Sequence, residues 1–300
     1  MPPRRILILG GTGFVGTALA SRLVAESHTL TLPTRDPARA KHLSVLPRAR
    51  LVAADVHQPR TLENLCRESD IVINLVGILN ERGHSGSGFR HAHTELAAKI
   101  LAACHRTGVR RLLQMSSLRA AEDAPSHYLR SKGAAERLIR DDRSGLEWTI
   151  FRPSVIFGAG DSLTNRFAGL VRWLPVLPIA RADARFAPVW VEDVVDAMVA
   201  SLARADAVGA TYELGGPEIV TLGNLVRYVA QLVGTRCAVL PLPDALGVLQ
   251  AAVFEYLPGK ILSLDNYRSL ALPSVPDEDG FARLGIKPAS MTSVVPGYLA

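Results

Sequence analysis

The feature that most constrains this chain lies within its first 16 residues: an apolar run, Arg5–Leu9, running straight into Gly10-Gly11-Thr12-Gly13-Phe14-Val15-Gly16. An apolar helical pattern, Val15–Ser27, follows at once. A buried strand turning sharply into a helix needs glycine for distinct reasons at distinct positions. Gly10 supplies the tight turn, Gly13 lets another molecule approach the backbone closely, and Gly16 lets the helix pack against the strand. The unpaired N–H groups at the start of the helix then face the turn and favour an anion, above all a pyrophosphate. A glycine pattern alone is weak evidence. Its place after a strand and before a helix, in a chain that goes on alternating the two, makes it a dinucleotide-binding turn rather than a merely structural one.

That alternation fills the first half. Thr29–Leu32, Leu51–Ala54, Ile71–Val76, Arg111–Met115 and Glu147–Phe151 read as further strands. Helices are expected around Ala38–Leu46 and from His93 to Arg106, where Leu96, Ile100 and Leu101 keep helical spacing. Strands alternating with helices predict a parallel sheet covered on both faces, hence a doubly wound α/β (Rossmann) fold. Beyond Phe151 the rhythm breaks. Pro153, Gly158, Gly160, Pro175, Pro178 and Pro188 punctuate shorter segments. A helix over Val191–Leu202, a strand over Thr211–Leu214 and a helix capped by Thr221 and ending at Leu232 are expected. The last 60 residues read as a small, mostly helical region. The expected division is a dinucleotide-binding domain over 1–152 and a substrate region over 153–300, with segments near 186–215 returning to the first domain.

Composition narrows the function. Residues 1–150 carry 22 Lys and Arg against 14 Asp and Glu, and residues 151–300 carry 12 against 14, so the basic surplus sits in the half with the glycine turn. It is scattered and not interleaved with aromatics, which argues against nucleic acid. No apolar stretch approaches the roughly 18 residues of a membrane span, and Ile6–Leu9 is too short for a signal peptide. Cys66, Cys104 and Cys237 form no metal or disulfide spacing. The expectation is a cytoplasmic protein, peripheral at the inner membrane at most.

Two features indicate the ligand and the chemistry. The second strand ends in Thr34-Arg35, with Arg35 19 residues after Gly16. An acid there would take a ribose 2′-hydroxyl, whereas an arginine pairs with a 2′-phosphate, and Thr34 adds a hydroxyl. NADP(H) is therefore favoured, with NAD(H) the alternative should Asp36 occupy that place. Tyr128-Leu129-Arg130-Ser131-Lys132 sets a tyrosine and a lysine on one helical face. Lys132 is placed to lower the Tyr128 pKa, and the phenol can then exchange a proton with a substrate oxygen. His84, His91 and His93 lack carboxylate or cysteine partners at ligand spacing and read as a solvated loop and helix start, with no metal site.

The Gly10, Gly13, Gly16 spacing resembles the extended and atypical short-chain dehydrogenase/reductase superfamily. The resemblance implies a catalytic serine after the fifth strand, Ser116 or Ser117, the latter slightly favoured. It implies that Asp55 and Val56 flank the adenine, that Leu75, Val76 and Gly77 line the dinucleotide, and that Pro153, Ser154 and Val155 cover the nicotinamide, with Thr12, Phe14 and Val15 in the glycine turn itself. Where some members carry an asparagine, this chain has His93. Asn165–Ala168, Pro188–Val194, Tyr212–Pro217, Tyr256–Lys260 and Leu264-Asp265-Asn266 look like the nucleotide-binding accessory subunit of respiratory complex I and its bacterial relatives. Fold and branch together leave three readings, the third resting on the fold alone. The first is an oxidoreductase of a small or quinone-like substrate. The second is a non-catalytic NADPH-holding assembly factor tied to a respiratory complex or membrane surface. The third is a nucleotide-sugar epimerase or dehydratase. Asp244–Leu257 reads as core packing, while Leu163–Leu174, with Phe167, Trp173, Arg166 and Arg172, is the better interfacial candidate.

Overall fold

The computed structural model describes residues 2–256 and 262–299. Along the chain run β1 (Arg5–Leu9), α1 (Phe14–Ala25), β2 (Thr29–Thr34), β3 (Ala49–Ala53), α2 (Pro59–Arg67), β4 (Ile71–Asn74), a short α3 (Ser87–Phe89), α4 (Leu96–Thr107), β5 (Arg111–Met115), α5 (His127–Arg140) and β6 (Glu147–Pro153). The second half adds β7 (Ile156–Phe157), α6 (Thr164–Trp173), β8 (Val176–Ala180), β9 (Arg185–Phe186), β10 (Val189–Trp190), α7 (Val191–Leu202), β11 (Ala210–Leu214), β12 (Val220–Thr221), α8 (Leu222–Leu232), β13 (Ala238–Leu242), α9 (Asp244–Phe254) and α10 (Leu264–Ser269), then three short C-terminal helices.

Seven parallel strands form the central sheet in the order β11-β6-β5-β4-β1-β2-β3. The two-residue period of a strand explains its two coats. Ile6 and Ile8 face one apolar cluster, with Leu19, Leu23, Val194 and Met198 from α1 and α7. Leu7 and Leu9 face the other, with Leu62, Leu65, Leu96, Ile100 and Ile139 from α2, α4 and α5. Continuous apolar strands are what a sheet covered on both sides requires. Strand order reverses between β1 and β4, and such a switch opens a crevice at the carboxyl ends of the two strands. Gly10 and Leu75 meet there.

Two expectations of the first half need correction. Ala38–Leu46 is not an α-helix; only Lys41–Val45 forms a 3₁₀ turn, because the Asp36 carboxylate captures the Ala38 and Arg39 N–H groups in a local turn. The helix α2 was not anticipated, although Pro59 at its first turn and Leu62, Leu65 and Cys66 at helical spacing carry its signal. In the second half, β11, α7 and α8 take their expected places, and Thr221 caps α8 by accepting from Asn224 N–H.

The C-terminal region is helical but also holds a parallel two-stranded ribbon, β13-β8, over a third cluster that includes Phe157, Val171, Leu177, Ile179, Val226 and Val295. One expectation fails outright here. The α9 helix does not pack into a core: it buries only Gly247 and Ala251. The segment Leu257–Lys260 lies outside the described residues.

Candidate active site

The glycine turn closes against β4. Gly10 has φ +80°, and a Cβ there would sit 2.9 Å from the Leu75 carbonyl carbon. A Cβ on Gly16 would lie 2.4 Å from the Gly10 carbonyl oxygen, so neither position accepts a side chain. Gly13 differs. It is exposed, and the nearest protein atom its Cβ would meet is Gly10 O at 3.3 Å, leaving its outer side open between half-buried Thr12 and Phe14. Val15 turns inward to the first cluster. No side chain caps α1 and no acid stands in its first turn, so its N–H groups and positive dipole end are available to an anion. This cradle fits a dinucleotide pyrophosphate.

At the adenosine end β2 runs to Thr34, two residues longer than expected. The Asp36 N–H donates to Thr34 Oγ1, and the Asp36 carboxylate pairs with Arg39 at 3.2 Å besides holding its turn. Arg35 is exposed and makes no salt bridge among the described residues. Thr34 pairs with Ala53 of β3, which brings the next residues, Asp55 and Val56, alongside Arg35. Asp55 accepts from His57 N–H, and the His57 ring stacks on His91 with centroids 4.1 Å apart.

At the other end, β5 delivers two serines and α5 delivers the tyrosine and lysine. Ser126 caps α5 by accepting from Leu129 N–H. Ser117 lies close enough to the Tyr128 phenol to hold its pKa down against burial. Ser116 turns the other way and donates to Glu136 Oε1 at 2.5 Å. Lys132 is buried, and its Nζ donates to Met115 O at 3.1 Å. A Cβ on Gly77 would lie 3.3 Å from that Nζ, so the glycine keeps the space beside the ammonium clear. Leu75 and Val76 precede it at the β4 end. The Ser154 hydroxyl donates to Ser274 O and accepts from Ala187 N–H, so it serves the junction between Pro153-Ser154-Val155 and the C-terminal loop.

The electrostatics depart from expectation. Burial pushes the Tyr128 phenol up, and the opposing influence is Ser117 rather than Lys132. The ammonium is turned to the Met115 carbonyl. Burial lowers Lys132 to about 8, with Glu136 one turn on acting against the fall.

His93 overturns the solvated-loop reading. It is buried on a π-helical turn, Arg90–Glu95, of the kind found at functional sites. Its Nε2 accepts from Ile78 N–H at 3.2 Å, and its Nδ1 faces Ser131 Oγ at 2.7 Å. Ser131 itself donates to Tyr128 O, so the network is satisfied when His93 is neutral and carries its proton on Nδ1. Burial, with the Lys132 charge adding to it, drives its pKa down to about 2. The ring also meets Tyr128 edge-on at 5.6 Å. The spacing Phe89, His93, Leu96, Ile100 was the available signal, since it extends the buried face of α4 upstream. His84 and His91 are half exposed and pair with Glu255 and Glu95; no metal cluster exists among the described residues.

Two supporting acids were not anticipated. Asp265, on α10, accepts from His127 N–H at 2.7 Å and Tyr128 N–H at 3.0 Å, capping the tyrosine-bearing helix from the C-terminal region. Glu136, 1% exposed, accepts from Arg152 at 2.7 Å and pairs with Arg140 at 2.8 Å. Neither is visible locally, because each partner is distant in sequence or a turn away on a face the sequence does not orient.

A family model described as NAD(P)H-binding matches residues 10–168. The chain is 30% identical over 261 residues to the Arabidopsis thaliana protein named NADH dehydrogenase [ubiquinone] 1 alpha subcomplex subunit 9, mitochondrial, covering 85% of this chain but 64% of that relative's length. It is 31% identical to the Caulobacter vibrioides protein named ceramide reductase, over 82% of this chain and 75% of that one. Its fold matches a dTDP-glucose 4,6-dehydratase from Streptomyces venezuelae solved with NAD, at TM-score 0.76 and 18% identity over 98% and 95% of the two chains. No helix among the described residues is long and apolar enough to cross a membrane. From glycine cradle to Tyr128–Lys132 helix, this chain belongs to the NAD(P)H-binding family and has the Rossmann fold of the short-chain dehydrogenase/reductase-like proteins.

Proposed function

We propose that this protein is an NADP(H)-dependent oxidoreductase of a small or quinone-like carbonyl compound. The observation that supports the reading is the pairing of Tyr128 and Lys132 one turn apart on α5, with Ser117 acting on the phenol and Gly77 leaving space beside the Lys132 ammonium. The nicotinamide supplies or accepts the hydride. With its pKa raised, Tyr128 keeps its proton through the neutral range and is the acid for a substrate oxygen in the reducing direction. Ser117, which acts on that phenol, is assigned as donor to the same oxygen. Lys132 is cationic below about 8, and its ammonium, anchored on the Met115 carbonyl beside Gly77, can hold the ribose hydroxyls. His93 and Ser131 hold the Tyr128 backbone and the Ile78 N–H in register. Arg35 supports the 2′-phosphate preference, because the competing acid, Asp36, is already bound to Arg39 and its own turn.

The test is Tyr128→Phe assayed with NADPH against a carbonyl and quinone panel, alongside thermal-shift titration with NADPH and NADH. NADPH should give the larger shift, and the variant should keep that shift while losing turnover. Unchanged turnover in the variant refutes the acid role, and a larger NADH shift refutes the assignment of Arg35.

A second reading is an NADPH-holding accessory subunit of a respiratory complex, supported by alignment with a named complex I subunit over 85% of this chain. It predicts tight NADPH retention without substrate-dependent oxidation, and co-purification with respiratory-complex subunits.

A further inference from the structure

We propose that this protein docks on the surface of an anionic phospholipid bilayer through one apolar face formed by α9, the β13-β8 ribbon and the end of α6. The face has a simple sequence origin. In α9, Leu246, Leu249 and Val253 recur at helical spacing, and they are 51%, 59% and 52% exposed, with Val248 and Tyr256 flanking them. The side carrying Gly247 and Ala251 is buried, Gly247 against Ala180 of β8, and at its margin Gln250 Nε2 donates to Pro178 O while its Oε1 accepts from Ala180 N–H. The ribbon continues the surface. Its inward residues, Leu177 and Ile179, are buried, whereas Val176 and Leu240 on the outer side are exposed. The helix α6 leads straight into β8 and leaves Trp173 86% exposed, with Leu174 beside it.

Exposed large apolar side chains gathered on adjoining elements mark a docking surface. Charge selects the occupant. The two acids of the α9 segment are matched internally, Asp244 by Arg181 at 3.4 Å and Glu255, buried, by His84 at 3.2 Å. Two exposed arginines are placed near Trp173. Arg172 precedes it, and Arg236 stands just before β13, whose Ala238 N–H donates to Pro175 O. Neither arginine makes a salt bridge among the described residues. Apolar side chains and a tryptophan flanked by two exposed arginines suit acyl chains beneath anionic headgroups, where each cation near the surface adds attraction. The face ends at Tyr256, beside the His84 ring on the rim of the cavity lined by Phe89, His127 and Asp265. Docked this way, the protein brings the cavity rim at His84 and Tyr256 to the bilayer.

The proposal stands apart from the catalytic reading, and its test needs no turnover. The intact protein is floated with phosphatidylcholine vesicles, with and without phosphatidylglycerol, while tryptophan emission is recorded. A Trp173→Ser/Leu249→Ser/Val253→Ser variant is compared, its unchanged thermal midpoint and NADPH shift showing that the fold is intact. The wild type should float with phosphatidylglycerol vesicles with a blue-shifted emission, and partition should fall roughly tenfold or more in the variant and in neutral vesicles. The proposal is overturned by absence of flotation, by flotation that the variant leaves undiminished, or by equal flotation with neutral vesicles. A wild-type dimer that dissociates in the variant without vesicle binding also overturns it and assigns the face to a second copy.

Discussion

Replacing Glu136 by glutamine tests how the candidate site is anchored. The carboxylate is 1% exposed and accepts from Arg152 Nη2 at 2.7 Å, Arg152 Nε at 2.9 Å and Ser116 Oγ at 2.5 Å, with Arg140 at 2.8 Å. Glutamine keeps the shape, removes the charge and presents an NH₂ to groups that are themselves donors. Removing one partner of a buried ion pair costs about 3–5 kcal/mol. Here the lower end applies: Arg152 retains Glu213 at 3.5 Å, and the Arg140 side chain, 38% exposed, can turn to solvent. A loss of about 3 kcal/mol corresponds to a melting point lowered by about 6–12 °C in a chain of this size. A second consequence reaches the active site. Glu136 supports the Lys132 ammonium against burial, so in Glu136→Gln the lysine should deprotonate at lower pH, and the alkaline limb of NADPH binding should move down with it. Urea unfolding followed by tryptophan fluorescence gives the first quantity, and NADPH titration across pH 6–9.5 the second. A variant within about 0.5 kcal/mol of wild type, as for an ordinary surface substitution, with an unmoved alkaline limb would refute the reasoning.

Three further outcomes are expected. Gly16→Ala should abolish NADPH binding and cost ~3 kcal/mol or more, since its Cβ would meet backbone at 2.4 Å, whereas Gly169→Ala on α6, where a Cβ meets nothing within 4 Å, should be stabilising by about 0.5–1 kcal/mol; equal melting points for the two would contradict this. His93 refuses a proton until about pH 2 whereas an unfolded histidine takes one near 6.5. Its contribution is therefore complete above 6.5 and lost as pH falls, by about 2–3 kcal/mol over two pH units, and His93→Gln should flatten that part of the acid-unfolding curve. Asp265→Asn should lower the melting point through about 2 kcal/mol of lost helix capping and reduce kcat more than it raises KM for NADPH; an unaltered kcat would mean that α10 does not help position Tyr128.

Legibility in the sequence varied with the range of the interaction. The main strands, the helices α1, α4, α7 and α8, the glycine turn and the Tyr128–Lys132 pair were readable because each rests on spacing within one element: period two for the sheet, glycine at a fixed offset, i and i+4 on a helix. Alternation along β1 even divides correctly between the two clusters, Ile6 and Ile8 against Leu7 and Leu9. The failures arose where a side chain competed with local propensity, as Asp36 does after β2, or where an apolar stretch was assumed to find a core. The helix α9 has the composition of a buried helix, yet packs one narrow side on the edge of β8 and leaves the rest outward.

By itself, then, the sequence determined the Rossmann frame, the glycine turn after β1 and the helix that carries tyrosine and lysine. Only the tertiary structure decided which serine faces Tyr128, that His93 is a buried neutral link rather than a loop residue, and that Asp265 caps the tyrosine helix from 137 residues away. The reason is physical. Backbone geometry repeats at short fixed intervals, which a sequence displays, but a side chain's hydrogen-bond partner, and whether an apolar face is covered, depend on elements that meet only after the chain has folded.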